Sequence, residues 1–184
     1  MAEFRLETDR LALRSWRGDD VTAFHGICAD PKVMATLGPV MSRAETEALI
    51  GRVQAMEAEH GHTFWAMERL EDARLIGWCG AIRGNAGPVD GKAEIGWRLA
   101  SDCWGKGYAG EAARASVRWA FAHLPDDAIF AITNVNNTRS RAVMERLGMR
   151  YRPDLDFGHP RIDPADPLYP HVTYRLGREE WREP

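Results

Sequence analysis

The sequence predicts an α+β fold in a single domain covering residues 1–184. Three observations carry that expectation. With 184 residues the chain has about the length of one domain and can bury most of the surface its unfolded form would expose. Its composition, 45% hydrophobic and 28% charged with no biased tract, is that of an ordinary globular protein. Its strand-like and helix-like stretches come in mixed order, not in the strict alternation of a doubly wound parallel sheet.

The elements follow in turn. LALRS (11–15) alternates apolar and polar residues as a half-buried strand does. Asp19 and Asp20 can cap a helix that runs to about Asp30, ahead of Pro31. Ser42 with Glu45 three residues on has capping-box spacing, and opens a second helix. That helix carries Ala48, Leu49, Val53 and Met56 on one face and stops near Gly61. The runs 62–69, 74–82 and 92–100 read as strands, joined by Glu71-Asp72 and by the turn-rich GNAGPVDG. Ala109, Ala112, Ala113, Ser116, Val117, Ala120, Phe121 and Leu124 recur at helical spacing before Pro125. IFAITN (129–134) reads as a buried strand. A short helix is expected over about Thr138–Leu147, ending at Gly148, and MRYR (149–152) and HVTYRL (171–176) as a closing strand pair.

Charge and motif content narrow the function. The net charge is -3 and no run of Lys or Arg appears, which argues against a nucleic-acid partner. The chain is charged from its third residue and has no apolar run near the ~20 residues that cross a bilayer, so neither a secretory signal nor a membrane partner is expected, and the cytoplasm is. Cys28, Cys79 and Cys103 form no C-x-x-C pair, and the six histidines include no H-E-x-x-H, so no metal is expected.

One stretch points to chemistry. CWGKGYAGEAAR (103–114) contains Gly105, Gly107 and Gly110 at G-x-G-x-x-G spacing. A dinucleotide fold would place these directly after a strand and end the next strand in Asp or Glu; here four residues intervene and that strand ends in Asn134. Kinase elements are missing, and Lys106 is followed by Gly107, not by the Ser or Thr of a Walker A loop. What survives is a glycine-rich turn entering a helix N-terminus, whose free N–H groups and positive dipole end suit a pyrophosphate. The other reading is a tight turn that lets helix meet sheet.

The segment EIGWRLASDCWGKGYAGEAARASVRWAF (94–121) resembles the acetyl-CoA-binding motif of the GNAT superfamily of N-acetyltransferases, in its RimJ/RimL-type branch. The superfamily signature (Arg or Gln, two residues, Gly, any residue, Gly or Ala) falls on Trp104-Gly105-Lys106-Gly107-Tyr108-Ala109, with Trp in the first place. ETDRLALRSW, LIGWCGAIR, NVNNTRSRAVMERLGM and HVTYRLGREEW fit the branch in order, so the similarity spans about residues 5–181. The resemblance implies a three-layer fold: a mixed, mostly antiparallel sheet with helices on both faces. It further implies acetyl-CoA as co-substrate, held by Trp104, Gly105, Lys106, Gly107, Tyr108 and Ala109 at the diphosphate, by Asn137, and by backbone around Trp97 and Leu99 along the pantetheine. The strand of Glu94–Leu99 would splay from IFAITN to admit that arm. The acceptor would be a small-molecule amine or a protein N-terminal amine, and a homodimer is one assembly open to such a chain.

Acetyl transfer to an amine needs a base, since an amine of pKa about 10 is neutral in roughly one molecule in a thousand at pH 7. It also needs donors for the oxyanion and a proton or hydrogen bond for the departing thiolate. Glu94, at the start of the splaying strand, is the expected base through water, or else a surface carboxylate; His159 is a second candidate. Ser140 is expected at the thiolate, or else as a first-turn hydroxyl. The tyrosine that many superfamily members carry seven residues after the Asn is Met144 here, which leaves Tyr151 and Tyr174 as possible donors and keeps open a catalytically silent acyl-CoA-binding module. The proline-rich segment 152–171, with Asp154, Asp156, Asp163 and Asp166, reads either as a carboxylate-lined lid for an ammonium group or as a solvated loop.

Overall fold

A computed structural model of the chain describes residues 3–182. Its strands are β1 (Arg5–Glu7), β2 (Leu11–Arg14), β3 (Phe64–Arg69), β4 (Arg74–Arg83), β5 (Ala93–Leu99), β6 (Ala128–Asn134), β7 (Arg150–Tyr151), β8 (Phe157–Gly158) and β9 (Pro170–Gly177). Its α-helices are α1 (Asp20–Cys28), α2 (Pro31–Met34), α3 (Arg43–His60), α4 (Tyr108–His123) and α5 (Thr138–Arg146). The strands form one nine-stranded sheet in the order β1-β2-β3-β4-β5-β6-β9-β7, with β8 also paired to β9. Every pairing is antiparallel except β5 with β6. Adjacent residues of a strand face opposite sides of its sheet, and β4 uses both. Trp78 packs on Phe24 of α1 with ring centroids 5.1 Å apart, whereas Cys79 meets Ser116 of α4 at 3.5 Å. Helices therefore cover both faces, as the resemblance implied.

Several local expectations need correction. LALR is buried at all four positions, not at alternate ones. Arg14 is 3% exposed, and it can be there because Asp20 and Glu68 each accept its guanidinium hydrogen bonds at 2.8 Å. That engagement takes Asp20 away from helix capping, and Asp19 makes no side-chain cap either. The helix stops at Cys28; Asp30 then caps α2, whose first residue is Pro31, a position where the missing N–H costs nothing. The capping box of Ser42 and Glu45 is present in full, but α3 buries Thr46, Ile50 and Val53 while Ala48 is exposed. The buried face is thus rotated by part of a turn from the one the apolar pattern suggested.

Candidate active site

β5 and β6 share a single register pair, Glu94 with Phe130. Beyond it β5 stays paired to β4 through Leu99, and β6 to β9 through Asn134, so the facing edges of the two strands diverge. A wedge of unpaired backbone N–H and C=O groups results, a costly arrangement unless something polar fills it. The wedge opens into a cleft of about 1210 Å³ lined by Trp97 and Leu99 of β5, by Trp104, Gly105, Gly107, Tyr108 and Ala109, and by Asn137 and Ser140 of α5's first turn. Lys106 does not line the cleft.

The glycine-rich loop closes one end. Gly105 and Gly107 have φ of 75° and 86°, a left-handed backbone that L side chains rarely adopt. Gly107 is the N-cap of α4 and, lacking a side chain, leaves the helix start uncapped. Among the described residues, the amides of Gly105 through Gly110 donate to no backbone carbonyl in any turn, loop or cap. Six consecutive donors at a positive helix end form a seat for an anion. The seat is held by Glu111, which accepts from Thr8 Oγ1 at 2.6 Å, Arg10 N at 2.9 Å and Arg10 Nε at 2.7 Å. Arg10 in turn donates to the Lys106 carbonyl at 3.0 Å and lies over the Tyr108 ring. The β1–β2 turn and α4 are thereby clamped together.

Other expected residues behave differently. Trp104 donates its indole N–H to the Leu99 carbonyl at 3.1 Å, and Arg139 stacks 4.4 Å above its ring. The Leu99 carbonyl is thus engaged from within the chain. Asn137 is the N-cap of α5: its Oδ1 accepts from Ser140 N at 3.2 Å and its Nδ2 donates to Thr133 Oγ1 at 3.0 Å. Both ends of its amide are used locally. With Asn137 capping, the Ser140 hydroxyl is released, and among the described residues it makes no hydrogen bond. Met144 is buried at 2% exposure, and neither tyrosine replaces it. The Tyr151 hydroxyl is bound to Asp156, while that of Tyr174 sits between Arg141 and Glu145; neither lines the cleft.

Glu94 lies on the opposite face of β5 from Trp97 and Leu99, at the point where the strands part, and does not itself line the cleft. Burial raises its pKa to about 7, and the charge of Arg161 acts the other way. It is tuned as a group that can take up a proton at neutral pH should be. His159 stands 4.8 Å, ring to ring, from His171; burial and these neighbouring cations push its pKa down. The acids of 152–171 are engaged in building the segment. Asp154 pairs with Arg152, Asp156 accepts from Tyr151 and Thr173, and Asp163 and Asp166 accept the amides of Ala165 and Leu168. None of the four lines the large cleft.

The sequence reading missed a set of cations. Arg10, Arg114, Arg118, Arg139 and Arg146 all line the cleft. The signal was present as spacing: Arg114 and Arg118 are i,i+4 on α4, and Arg139 and Arg146 are seven apart on α5. An overall charge of -3 concealed it.

A splayed strand pair, an uncapped glycine-rich helix start and an arginine-lined cleft together have the chemistry to receive an anion. Comparison with known proteins says which class. The acetyltransferase (GNAT) domain family matches residues 10–150, and the chain belongs to that family. It is an N-acetyltransferase, an enzyme class that uses acetyl-CoA. The uncharacterized protein YkkB of Bacillus subtilis (strain 168) is 30% identical over 153 residues, covering 82% of this chain and 87% of YkkB. The crystal structure of an acetyltransferase from Agrobacterium tumefaciens str. C58 is 28% identical, superposes with a TM-score of 0.77, and covers 97% of this chain and 96% of its own. RimL, a ribosomal-protein alpha-N-acetyltransferase determined in complex with coenzyme A, shares the fold at 16% identity and a TM-score of 0.77, over 96% of this chain and 99% of its own.

Proposed function

We propose that this chain, in the RimJ/RimL-type branch of its family, moves an acetyl group from acetyl-CoA directly to a primary amine. The observation that carries the reading is the row of unbonded amides from Gly105 to Gly110 at the mouth of the splayed strands. These donors, with Arg10 beside them, fit a diphosphate; Arg114, Arg118, Arg139 and Arg146 offer further cations along the same cleft. Acetyl-CoA supplies the activated thioester. The unpaired edges of β5 and β6 offer backbone groups to its amide-bearing arm, in the manner of an added strand. Glu94 takes the proton of the incoming ammonium through water, and the Ser140 hydroxyl hydrogen-bonds or protonates the departing sulfur. The C–N bond forms as the C–S bond breaks, and the two protons end on Glu94 and on the thiol. A binding module without catalysis is disfavoured, since the family to which the chain belongs is one of acetyltransferases. A chain that spends acetyl-CoA fits the cytoplasm.

The test is incubation with acetyl-CoA and a panel of amines, following thiol release and the mass of the acetylated product. Acceptor-dependent thiol release with a product heavier by one acetyl group is the expected result. Saturable acetyl-CoA binding with no acceptor-dependent release from any amine would return the chain to the binding-module reading.

A further inference from the structure

Among the described residues, no carboxylate pairs with Arg98. It sits on β5 four residues beyond Glu94 and on the same face, about 13 Å along the strand at the usual rise. Between them is Gly96, where an added Cβ would come within 3.0 Å of the Phe64 ring, so that ring covers the strand between the two. The guanidinium lies 4.9 Å over Trp78 and 6.0 Å over Phe24, between α1 and the sheet. Among the described residues its hydrogen-bond partners are sulfur atoms: Nη1 is 3.0 Å from Cys28 Sγ and 3.8 Å from Met41 Sδ. Thiols and thioethers are weak acceptors. Burial pushes the Cys28 thiol up, so at neutral pH it is no thiolate.

The Nε of Arg98 is buried and has no hydrogen-bond partner among the described residues. Among the described residues Arg98 makes no ion pair, whereas the similarly placed Arg14 has two carboxylates. Yet Arg98 also lines the large cleft, whose lining includes Lys32, Val33 and Thr36 of α2 and the turn after it. A guanidinium held by two aromatic rings, short of acceptors and reachable from the cleft is a preorganised half of an ion pair.

We propose that Arg98 recognises a carboxylate of the acceptor, so that the amine acetylated by this chain is one that carries a carboxylate within the same small molecule or peptide end. The inference rests on the acyltransferase reading and names the acceptor class for it. Glu94 and Arg98 then divide the work on one face of β5, one receiving the ammonium proton and the other the acid. The other arginines of the cleft stand on the β1–β2 turn, α4 and α5, so on its face of β5 Arg98 offers one guanidinium, which matches a monoanionic carboxylate better than a dianionic phosphate. Polyamines and aminoglycosides fit poorly: an arginine with no ion pair among the described residues repels them, and none of the acids of 152–171 lines the cleft to draw them.

The experiment compares matched acceptors, each carboxylate against its own carboxamide. One arm uses free α-, β- and γ-amino acids; another uses C-terminally amidated peptides with Glu or Gln at the second position; diamines serve as the opposite charge class. Each is measured by thiol release, and by quenching of tryptophan fluorescence in protein loaded with CoA. At least one carboxylate is expected to exceed its amide tenfold or more in kcat/KM or in affinity, and the arm in which it does so identifies a free amino acid or an acidic peptide end. Arg98→Met, close in volume, should bring that ratio to within twofold while the Kd for acetyl-CoA stays within twofold, and Arg98→Lys should keep part of the preference. The parent protein alone decides the matter if the variants fold poorly. Equal handling of acid and amide throughout, preference for diamines, or a preference that survives Arg98→Met would overturn the inference, with acetyl-CoA binding intact. Loss of acetyl-CoA binding in the parent would overturn the acyltransferase reading, and this inference with it.

Discussion

At the scale of single residues, environment matters more than identity. Glu94, Glu68 and Glu111 are all carboxylates on or beside the sheet, but Glu68 and Glu111 have arginine partners and Glu94 has burial without one. Its pKa of about 7, above the unbound 4.5, makes two predictions of opposite sign. The carboxylate form is the active base, so the acetylation rate of the parent should rise with pH through about 7. Glu94→Gln should lower kcat about a hundredfold or more and remove that limb. For stability, a carboxyl whose pKa is raised on folding favours the folded chain while protonated. Its contribution is complete below the unfolded value and is lost as pH rises towards 7. Gln stays neutral throughout, so Glu94→Gln should melt with the parent near pH 4 and a few degrees above it at about pH 8. A variant that matches the parent in rate and in melting at both pH values would show that Glu94 is neither base nor strained.

At the scale of elements, the start of α4 closes the end of the cleft proposed for the cofactor's diphosphate. Gly107 has φ of +86°, and a Cβ there would lie 3.3 Å from Arg10 Nη2. Gly107→Ala should cost about 1 kcal/mol in stability from the left-handed backbone, with a small effect on acetyl-CoA affinity. Gly107→Glu adds a negative charge where the unbonded amides converge, and should weaken acetyl-CoA binding tenfold or more by calorimetry. Equal affinities in parent and Gly107→Glu would mean that the anion sits elsewhere. The start of α5 is built in the other way, with Asn137 spending its side chain on the cap. The same kind of helix end is closed in one place and open in the other, and the open one is where a ligand fits.

For the whole molecule, the charges are segregated. The chain is acidic overall at -3, yet arginines from the β1–β2 turn, α4 and α5 meet in one cleft. Binding of acetyl-CoA, itself an anion, should therefore weaken severalfold as ionic strength rises from tens of millimolar to several hundred, because exposed charges beyond ~10 Å are screened at 0.1 M. A Kd that does not move with salt would show that the amides alone hold the cofactor.

What could be read from the sequence was whatever depends on residues close together in the chain. The capping box of Ser42 and Glu45, the stop at Gly61, and the glycines of residues 105–107 all express backbone preferences a few residues long, and each is found where it was expected. The order of the longer strands and helices followed from periodicity, without the short β1, α2 and β8, and the family from four motifs in sequence. Features that join distant positions were not legible. LALR looks half-buried until Glu68, 54 residues away, is seen beside Arg14. Asp19 and Asp20 look like caps until Asp20 is claimed by that same arginine. Asn137 and Ser140 exchange roles once Thr133 takes the amide of Asn137. Arg98 reads as any strand arginine, and only the fold shows that among the described residues no carboxylate pairs with it and that it lines the cleft. Local sequence sets backbone conformation over a few residues, whereas burial and charge pairing depend on which surfaces the folded chain brings together.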